Sequence, residues 1–312
     1  MLSILDVESH ALSPLDSAER PNMRIAGRTQ IAALIAVSIA HPLRTVAAQV
    51  PGFPSNSRDV ETMAVFGTNV LLGGLTAGAR ALISGHDPAR AFAIGALGGA
   101  VHFSGKLVGP ISGFPGGIPG VVLSSTGTAI VSNAGRGAGL FDELYLPVGP
   151  LRVRFEPRAP RKVRLTVNAA EGTVLARNLA RSGMALDWDR SASSGTFVFV
   201  THGRYVKMSD GTVLQGVTIG STVVISSLAT DPSQIQRHEV VHVRQLGFLE
   251  GAVGRPIEDY LRTRIPGGRR IPRWLELGVV PVVLEFTESA LFGSDGPVRR
   301  LGESEADMLG RR

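Results

Sequence analysis

The chain contains no cysteine, few aromatic residues and very little lysine. Without cysteine it can form neither a disulfide nor a thiolate metal site, so histidine and carboxylate side chains must bind any metal ion. Aromatic residues make up only 5% of the 312 residues, whereas 38 residues are glycine. We therefore expect a part of the fold in which small side chains allow close packing.

The basic residues are almost all arginine, because only Lys106, Lys162 and Lys207 are lysines among 32 basic side chains. Such a bias is typical of a GC-rich genome. The formal net charge is +6 and the isoelectric point is about 10.4, a balance that can indicate a nucleic-acid or membrane partner. However, the arginines are scattered, and no basic stripe alternates with stacking aromatic residues. This pattern argues against a nucleic-acid partner.

Residues 1–48 resemble a polar tail followed by an export signal. After Met23 come two arginines, a ten-residue apolar run at residues 31–40, and the small-residue pattern Val-Ala-Ala at residues 46–48. The apolar run is too short to cross a bilayer comfortably, which favours a signal peptide or a short anchor. We expect translation to begin at Met1 or Met23, and we expect an exported or membrane-associated protein of the periplasm or cell envelope. The alternative is an ordinary apolar helix in a soluble protein.

Residues 49–140 form a glycine-rich apolar region that we expect to be helical. Two apolar segments, at residues 63–85 and 89–109, flank a His-Asp-Pro turn and are each long enough for a helix. Each segment has a G-x-x-x-G spacing, which lets helix backbones approach closely. The glycines with this spacing are Gly74 with Gly78, and Gly95 with Gly99.

Two arrangements of this hairpin stay open. Membrane contact through residues 63–109 is one, and a soluble helical pair packed on glycine is the other. The ionisable residues Arg80, His102 and Lys106 lie within these segments, and they would be costly at bilayer depth. Residues 109–120 have the composition of a loop, and a further helix or strand pair follows them.

From about residue 144 the pattern changes to an alternation of apolar and polar residues, which predicts strands. The segments are LYLPV, LRVRFE, KVRLTV, GTFVFVTHG and TVVISSL, separated by Pro, Gly and Asn/Asp breaks. We predict an α+β fold, with a helical hairpin followed by a β-rich module and a helical C-terminal part. The expected domains are residues 1–48, 49–140 and 141–312.

The stretch IQRHEVVHVRQ carries a candidate metal site. His238 and His242 are four residues apart, so on a helix their imidazoles emerge from one face and can bind one tetrahedral zinc ion. Glu239 is rotated by about 100° from His238 and would lie beside the metal, where it can accept a proton from water. Asp231 or Ser233 can cap this helix, with Pro232 in its first turn.

A catalytic zinc site needs a third protein ligand, and no histidine follows His242. The segment LGESEADMLGR at residues 301–311 offers the best carboxylate. If residues 302–309 are helical, Glu303 and Asp307 share a face, whereas Glu305 points elsewhere. Glu303 would then bind the metal, and Asp307 would hold a ligand histidine by its other ring nitrogen. The competing carboxylates lie on the apolar segment 274–292, which we expect to be a helix kinked at Pro281: Glu276, Glu285 and Glu288.

The motif HEVVH followed by E-x-x-x-D resembles the gluzincin metallopeptidases. It is most similar to the branch in which a Glu-x-Glu-Ala-Asp helix follows the zinc helix, a branch that includes integral-membrane prenyl-protein and heat-shock proteases. With Gln245 three residues after His242, the stretch is also similar to bacterial H-E-x-x-H-x-x-Q proteins. The resemblance covers residues 215–312. Residues 50–210 resemble no peptidase architecture.

The resemblance implies a zinc-dependent metallohydrolase that acts on a peptide or protein substrate. It implies Zn²⁺ bound by His238, His242 and Glu303, with Glu239 as general base and Asp307 orienting a histidine. It also implies an extended substrate along the strand TVVISSL. The transition-state stabiliser stays open among Tyr260, Tyr205 and His202. The alternative function is a non-catalytic membrane- or envelope-associated protein with a structural or vestigial zinc site.

Overall fold

The computed structural model describes residues 57–108, 117–207, 213–264, 266–278 and 297–310. The expected tail and signal segment at residues 1–48 therefore lies outside the described residues, as do Glu285 and Glu288. The described chain has the expected mixed α+β fold. Its helices are α1 (Ser57–Ser84), α2 (Pro88–Val108), α3 (Gly117–Gly135), α4 (Ala169–Ser182), α5 (Trp188–Ser194), α6 (Pro232–Phe248), α7 (Arg255–Arg264) and α8 (Pro297–Gly310), with a π-helical segment at Leu249–Gly254.

The strands of the described residues pair into two four-stranded sheets and one short hairpin. The first sheet has the order β1-β2-β3-β10, in which only the β3–β10 pair is parallel. The second has the order β4-β5-β9-β8, in which only the β5–β9 pair is parallel. The strands are β1 (Leu144–Val148), β2 (Leu151–Phe155), β3 (Val163–Asn168), β4 (Ala185–Leu186), β5 (Phe197–Thr201), β6 (Val206–Lys207), β7 (Val213–Leu214), β8 (Gly216–Ile219), β9 (Thr222–Ser226) and β10 (Leu275–Glu276).

Helices α1 and α2 form a hairpin that packs on glycine. A β-carbon on Gly73 or Gly95 would collide with the backbone carbonyl of the other residue, and one on Gly99 would collide with the carbonyl of Asn69. The absence of side chains at these positions therefore sets the distance between the helices. Both G-x-x-x-G pairs seen in the sequence face the partner helix, because Gly74 and Gly78 lie against the ring and backbone of α2 residue Phe92.

Helix α6 lies between the second sheet and the helical hairpin. Val240 and Val243 pack on the buried strand residues Val198, Val223 and Ile225. On another side of the helix, Val241 packs with Phe103 of α2 and with Ala306 of α8. The apolar residues around the two histidines thus fix α6 against elements from both halves of the chain.

Three parts of the fold differ from the sequence-based expectations. Residues 117–120 were predicted as loop but begin α3, because small side chains let this helix pack into the core and proline is tolerated in a first helical turn. The apolar segment at 274–292 was predicted as a helix, but Leu275–Glu276 pairs as a strand with β3. The β-rich region also contains α4 and α5, which the alternating pattern did not indicate.

Candidate metal centre

The N-terminal end of α6 is defined by local sequence signals. The carboxylate of Asp231 accepts hydrogen bonds from the backbone amides of Ser233 and Gln234, and Pro232 occupies the first turn. These contacts satisfy amides that the helix itself cannot pair, and they confirm the expected cap. The helix then runs without interruption through both histidines to Phe248.

Helix α8 approaches α6 through a row of small residues. Gly302, Ala306 and Gly310 are spaced four apart, so they lie on one face of α8. Gly302 lies against the side chain of Gln245, and Gly310 lies against the backbone of His238. The two helices therefore run antiparallel, and the small residues allow the carboxylates beside them to reach the imidazoles.

The three predicted metal ligands, His238, His242 and Glu303, converge between these helices. Nε2 of His238 and Nε2 of His242 lie 3.1 Å apart. Oε2 of Glu303 lies 3.3 Å from the first nitrogen and 3.5 Å from the second. Among the described residues, these three side chains form a group whose ligand atoms all lie within 4.8 Å of one another.

The dimensions and chemistry of this group fit zinc. Bonds of about 2.0–2.1 Å in a tetrahedron place neighbouring ligand atoms about 3.3–3.4 Å apart, close to the three observed separations. Two imidazoles and one carboxylate are also a ligand set that leaves a fourth position for water in catalytic zinc sites. The carboxylate of Glu303 is about half exposed, whereas both imidazoles are mostly buried, so the cluster is open to solvent on the Glu303 side.

Each histidine directs its second ring nitrogen at a hydrogen-bond acceptor. Nδ1 of His238 lies 3.2 Å from Oδ1 of Asp307, as the sequence predicted for this carboxylate. Nδ1 of His242 lies 2.8 Å from Oε1 of Gln245. With a metal ion bound, acceptors at Nδ1 would favour the tautomer that carries its proton there, and both Nε2 lone pairs would then be free to bind the ion.

Glu305 points away from the metal face, as the helical spacing predicted. Its side chain is buried in the protein interior, which the spacing alone did not indicate. Its carboxylate accepts hydrogen bonds from Lys106, Asn69 and Gln245. The spacing of Gln245 after the histidines was visible in the sequence, but its connection to Glu305 depends on how α8 packs on α6.

Glu239 is held at the edge of the second sheet. Thr218 of β8 donates its hydroxyl proton to Oε2 of Glu239 over 2.7 Å, and the same hydroxyl lies 2.9 Å from the backbone carbonyl of Glu239. The absence of a side chain at Gly216 leaves room for this carboxylate beside the strand. Burial raises the pKa of Glu239 above its ordinary value, although the Thr218 hydrogen bond and both histidines act in the opposite direction.

The pKa values of the cluster indicate an ionised Glu303 carboxylate between the two imidazoles. Hydrogen bonds from His238 and His242 hold the pKa of Glu303 well below its usual range. Burial acts to lower the pKa of His242, but the hydrogen bonds with Glu303 and Gln245 and the charge of Glu239 raise it above the ordinary imidazole value. A cation in this place therefore meets a carboxylate that is already ionised.

The other candidates that the structure describes do not join the cluster. Glu276 accepts hydrogen bonds from Arg154, Thr166 and Tyr145, so the first sheet occupies it. No hydrogen bond, ion pair or ring contact in the described part of the chain links Tyr205, Tyr260 or His202 to the ligands. Tyr260 instead stacks with Arg264, while Tyr205 and His202 are exposed.

The expectation that substrate lies along TVVISSL is wrong. Strand β9 is fully buried and pairs with β5 on one side and β8 on the other, so its backbone has no free edge. Strand β8 is the last strand of this sheet among the described residues.

Comparisons of the chain with models of protein families, with curated proteins and with solved structures find no match. Function is therefore inferred from the geometry of the site itself.

Proposed function

We propose that the protein is a zinc-dependent metallohydrolase of the gluzincin type that cleaves amide bonds as a peptidase. The observation that supports this best is the convergence of Nε2 of His238, Nε2 of His242 and Oε2 of Glu303 within 4.8 Å. These residues would hold the ion, and Asp307 would orient His238. A zinc ion bound there would polarise a scissile carbonyl and lower the pKa of water.

Glu239 is the proposed general base. It is buried on the turn of α6 that carries His238, and Thr218 fixes one of its carboxylate oxygens. The other oxygen can take a proton from the attacking water and then deliver it to the leaving amine.

Strand β8 supports a peptide as the substrate class. It lies at the end of its sheet, and its residue Thr218 contacts the proposed base directly. An extended peptide can add to such an edge by main-chain hydrogen bonds, which would place its backbone across the proposed centre. We assign this role to β8 in place of β9.

We also propose that the protein is exported or membrane-associated, with membrane contact through the helical hairpin. Segments Val60–Ser84 and Pro88–Val108 are long and apolar enough to cross a bilayer by length and composition, a test that core helices of soluble proteins also pass. Leu82, Ile83 and Leu97 nevertheless expose large apolar side chains on this hairpin, the first two beside its turn and Leu97 near the middle of α2. Co-sedimentation with lipid vesicles, lost in a Leu82→Ser/Leu97→Ser variant, would support this contact. Equal partition of the variant would contradict it.

The experiment that tests the hydrolase proposal compares the wild type with Glu239→Gln in digestion of a mixed peptide library. We expect cleavage by the zinc-loaded wild type and a loss of about 10²–10⁴-fold in the variant, with zinc content unchanged. Zinc binding without cleavage by the wild type would instead favour the alternative, a non-catalytic envelope protein with a structural zinc site. Equal cleavage by both proteins would show that Glu239 is not the base.

A further inference from the structure

The first sheet turns an apolar face outward. Because paired residues of neighbouring strands lie on the same side of a sheet, as does every second residue along a strand, β1, β2 and β3 place nine apolar side chains on one face. They form three cross-strand rows: Leu144 with Phe155 and Val163, Leu146 with Val153 and Leu165, and Val148 with Leu151 and Val167. Leu165 is the most exposed of the nine, at 62%. None of them belongs to an apolar cluster of the described core.

The opposite face of the same sheet is buried and charged. Arg152 has no exposed surface, and it pairs with Glu171 over 2.5 Å and with Glu250 over 2.9 Å. On the same side, the hydroxyl of Tyr145 donates to Glu276. A sheet turned over, or a strand slipped by one residue, would lose these buried contacts. The charged network therefore fixes the outward orientation of the nine apolar residues, and an exposed apolar patch of this kind marks a surface that binds a partner or a membrane.

Basic side chains border one end of this face. The turn that joins β2 to β3 lies next to the first row and carries three exposed cations and one acidic residue. The cations are Arg158, Arg161 and Lys162, and the acid is Glu156. Arg158 contacts Asp142 over 2.7 Å, whereas Arg161 and Lys162 form no ion pair with the described residues. An apolar surface with a basic border matches an anionic bilayer, because its apolar side chains can enter the acyl boundary while its cations bind phosphate groups.

The size of the face argues against a second copy of the chain as its partner. Three strands about 4.8 Å apart, each contributing about five residues of 3.4 Å, cover roughly 240 Å². A stable protein interface buries about 800 Å² on each partner. Two copies would also bring two basic borders to one interface, which like charges oppose. A bilayer has no such minimum area, since binding grows with each apolar side chain that enters it.

We propose that the apolar face of the first sheet binds the surface of an anionic lipid bilayer, with the basic turn at the phosphate groups. This contact is independent of the zinc site, and it is separate from the hairpin contact proposed above. The backbone of β2 is paired on both sides, so this strand brings only side chains to the lipid.

A single cysteine can report on this face because the chain has none of its own. Leu165→Cys, labelled with a nitrobenzoxadiazole fluorophore, should shift its emission to the blue with vesicles of phosphatidylcholine and phosphatidylglycerol, and much less with phosphatidylcholine alone. Leu228→Cys is the matched control, since Leu228 is also exposed but lies outside the sheet, and its emission should not shift. Unchanged emission from labelled Leu165→Cys with either vesicle would overturn the proposal.

The basic turn is tested by co-sedimentation with the anionic vesicles. Arg161→Gln/Lys162→Gln should weaken binding about 10–30-fold at low salt, because each cation near the surface attracts anionic lipid. Arg204→Gln/Arg264→Gln makes the same change in net charge at exposed arginines on other parts of the fold, and it should bind nearly as well as the wild type. Equal loss in both double variants would show that net charge, and not this turn, governs binding.

Two outcomes would assign the face to another occupant and overturn the proposal. Self-association of the lipid-free wild type in sedimentation velocity, lost in Leu165→Ser, would assign it to a second copy. Blue-shifted emission of labelled Leu165→Cys as a lipid-free monomer would show that another part of the chain covers it.

The sheet contact and the hairpin contact fail separately. Leu165→Ser should weaken binding to anionic vesicles about tenfold, and its thermal stability should match that of the wild type because the side chain is mostly exposed. Vesicle binding that Leu165→Ser leaves unchanged but Leu82→Ser/Leu97→Ser removes would overturn the sheet contact alone. The reverse result would overturn the hairpin contact alone, and zinc content bears on neither.

Discussion

Oδ1 of Asp307 lies 3.2 Å from Nδ1 of His238, on the side of the imidazole away from the ligand cluster. The contact joins α8 to α6 one helical turn beyond the contact of Glu303 with the same ring. A carboxylate in this position holds the proton on Nδ1 and orients the ring, so it should matter for metal affinity more than for folding.

The first prediction concerns this contact. Asp307→Ala should weaken zinc binding by about 10–100-fold, because His238 loses the acceptor that fixes its tautomer. Asp307→Asn is the matched control and should retain most of the affinity, since its amide oxygen can still accept from Nδ1. Chelator competition measures both. Equal zinc affinity in all three proteins would show that Asp307 does not orient the ligand.

The second prediction concerns the hydroxyl of Thr218, which donates to Glu239. Thr218→Val keeps the side-chain shape and removes the donor, so it should lower kcat by about tenfold, the equivalent of one hydrogen bond to a charged group. Zinc content should not change. The control is Thr126→Val, whose hydroxyl donates only to the carbonyl of Val122 in its own helix. An unchanged kcat in Thr218→Val would remove Thr218 from the site.

The third prediction concerns the packing of the hairpin. Gly73→Ala should reduce the free energy of unfolding by about 1–3 kcal/mol, because the new methyl group meets the backbone of Gly95 and Gly99. Gly67→Ala, on the same helix, meets nothing within 4 Å and should raise stability by up to about 1 kcal/mol through helix propensity. Urea denaturation of both variants measures the difference. Similar stability changes would contradict the glycine-mediated approach of the two helices.

The fourth prediction concerns pH. Burial acts to raise the pKa of Glu276, but the charge of Arg154 and the hydrogen bonds from Thr166 and Arg154 hold it below the ordinary value. A carboxyl group whose pKa is lower in the folded protein stabilises the fold above the pKa of the unfolded chain, and this stability is lost as pH falls through the folded pKa. The free energy of unfolding should therefore decrease as pH falls from about 5 towards 3.

Glu276→Gln provides the check on that assignment. It should be less stable than the wild type at pH 7, by about 3–5 kcal/mol for a broken buried ion pair. Its stability should also depend less on pH in the acid range, because the group that titrates is gone. An unchanged acid dependence in the variant would assign the loss of stability to other carboxylates, such as Glu143.

Local sequence signals were enough to predict the two helices of the candidate site. These signals all lie within a few residues of one another: the cap at Asp231, the histidine spacing, and the spacing of Glu303 and Asp307. On a helix, side chains four residues apart lie on the same face, so each spacing predicts which residues face the site. Whether these residues bind zinc stays a prediction, because convergence of the ligand atoms is a necessary condition and not a measurement of binding.

Contacts between distant segments could not be predicted in the same way. Helix periodicity showed that Glu305 leaves the metal face, but only the packing of α8 on the hairpin brings it to Lys106, 199 residues away in sequence. Similarly, the composition of residues 274–292 favoured a helix, whereas pairing with β3 makes Leu275–Glu276 a strand. Tertiary contacts override local preference in short segments such as this one.

The most direct test of the account is the zinc content of the purified protein by elemental analysis after reconstitution and dialysis. We predict about one zinc ion per chain in the wild type, and loss of that zinc in His238→Ala, His242→Ala and Glu303→Ala. His202→Ala removes an exposed histidine outside the cluster and should keep its zinc. A wild type without zinc, or a Glu303→Ala variant that retains it in full, would contradict the proposed centre.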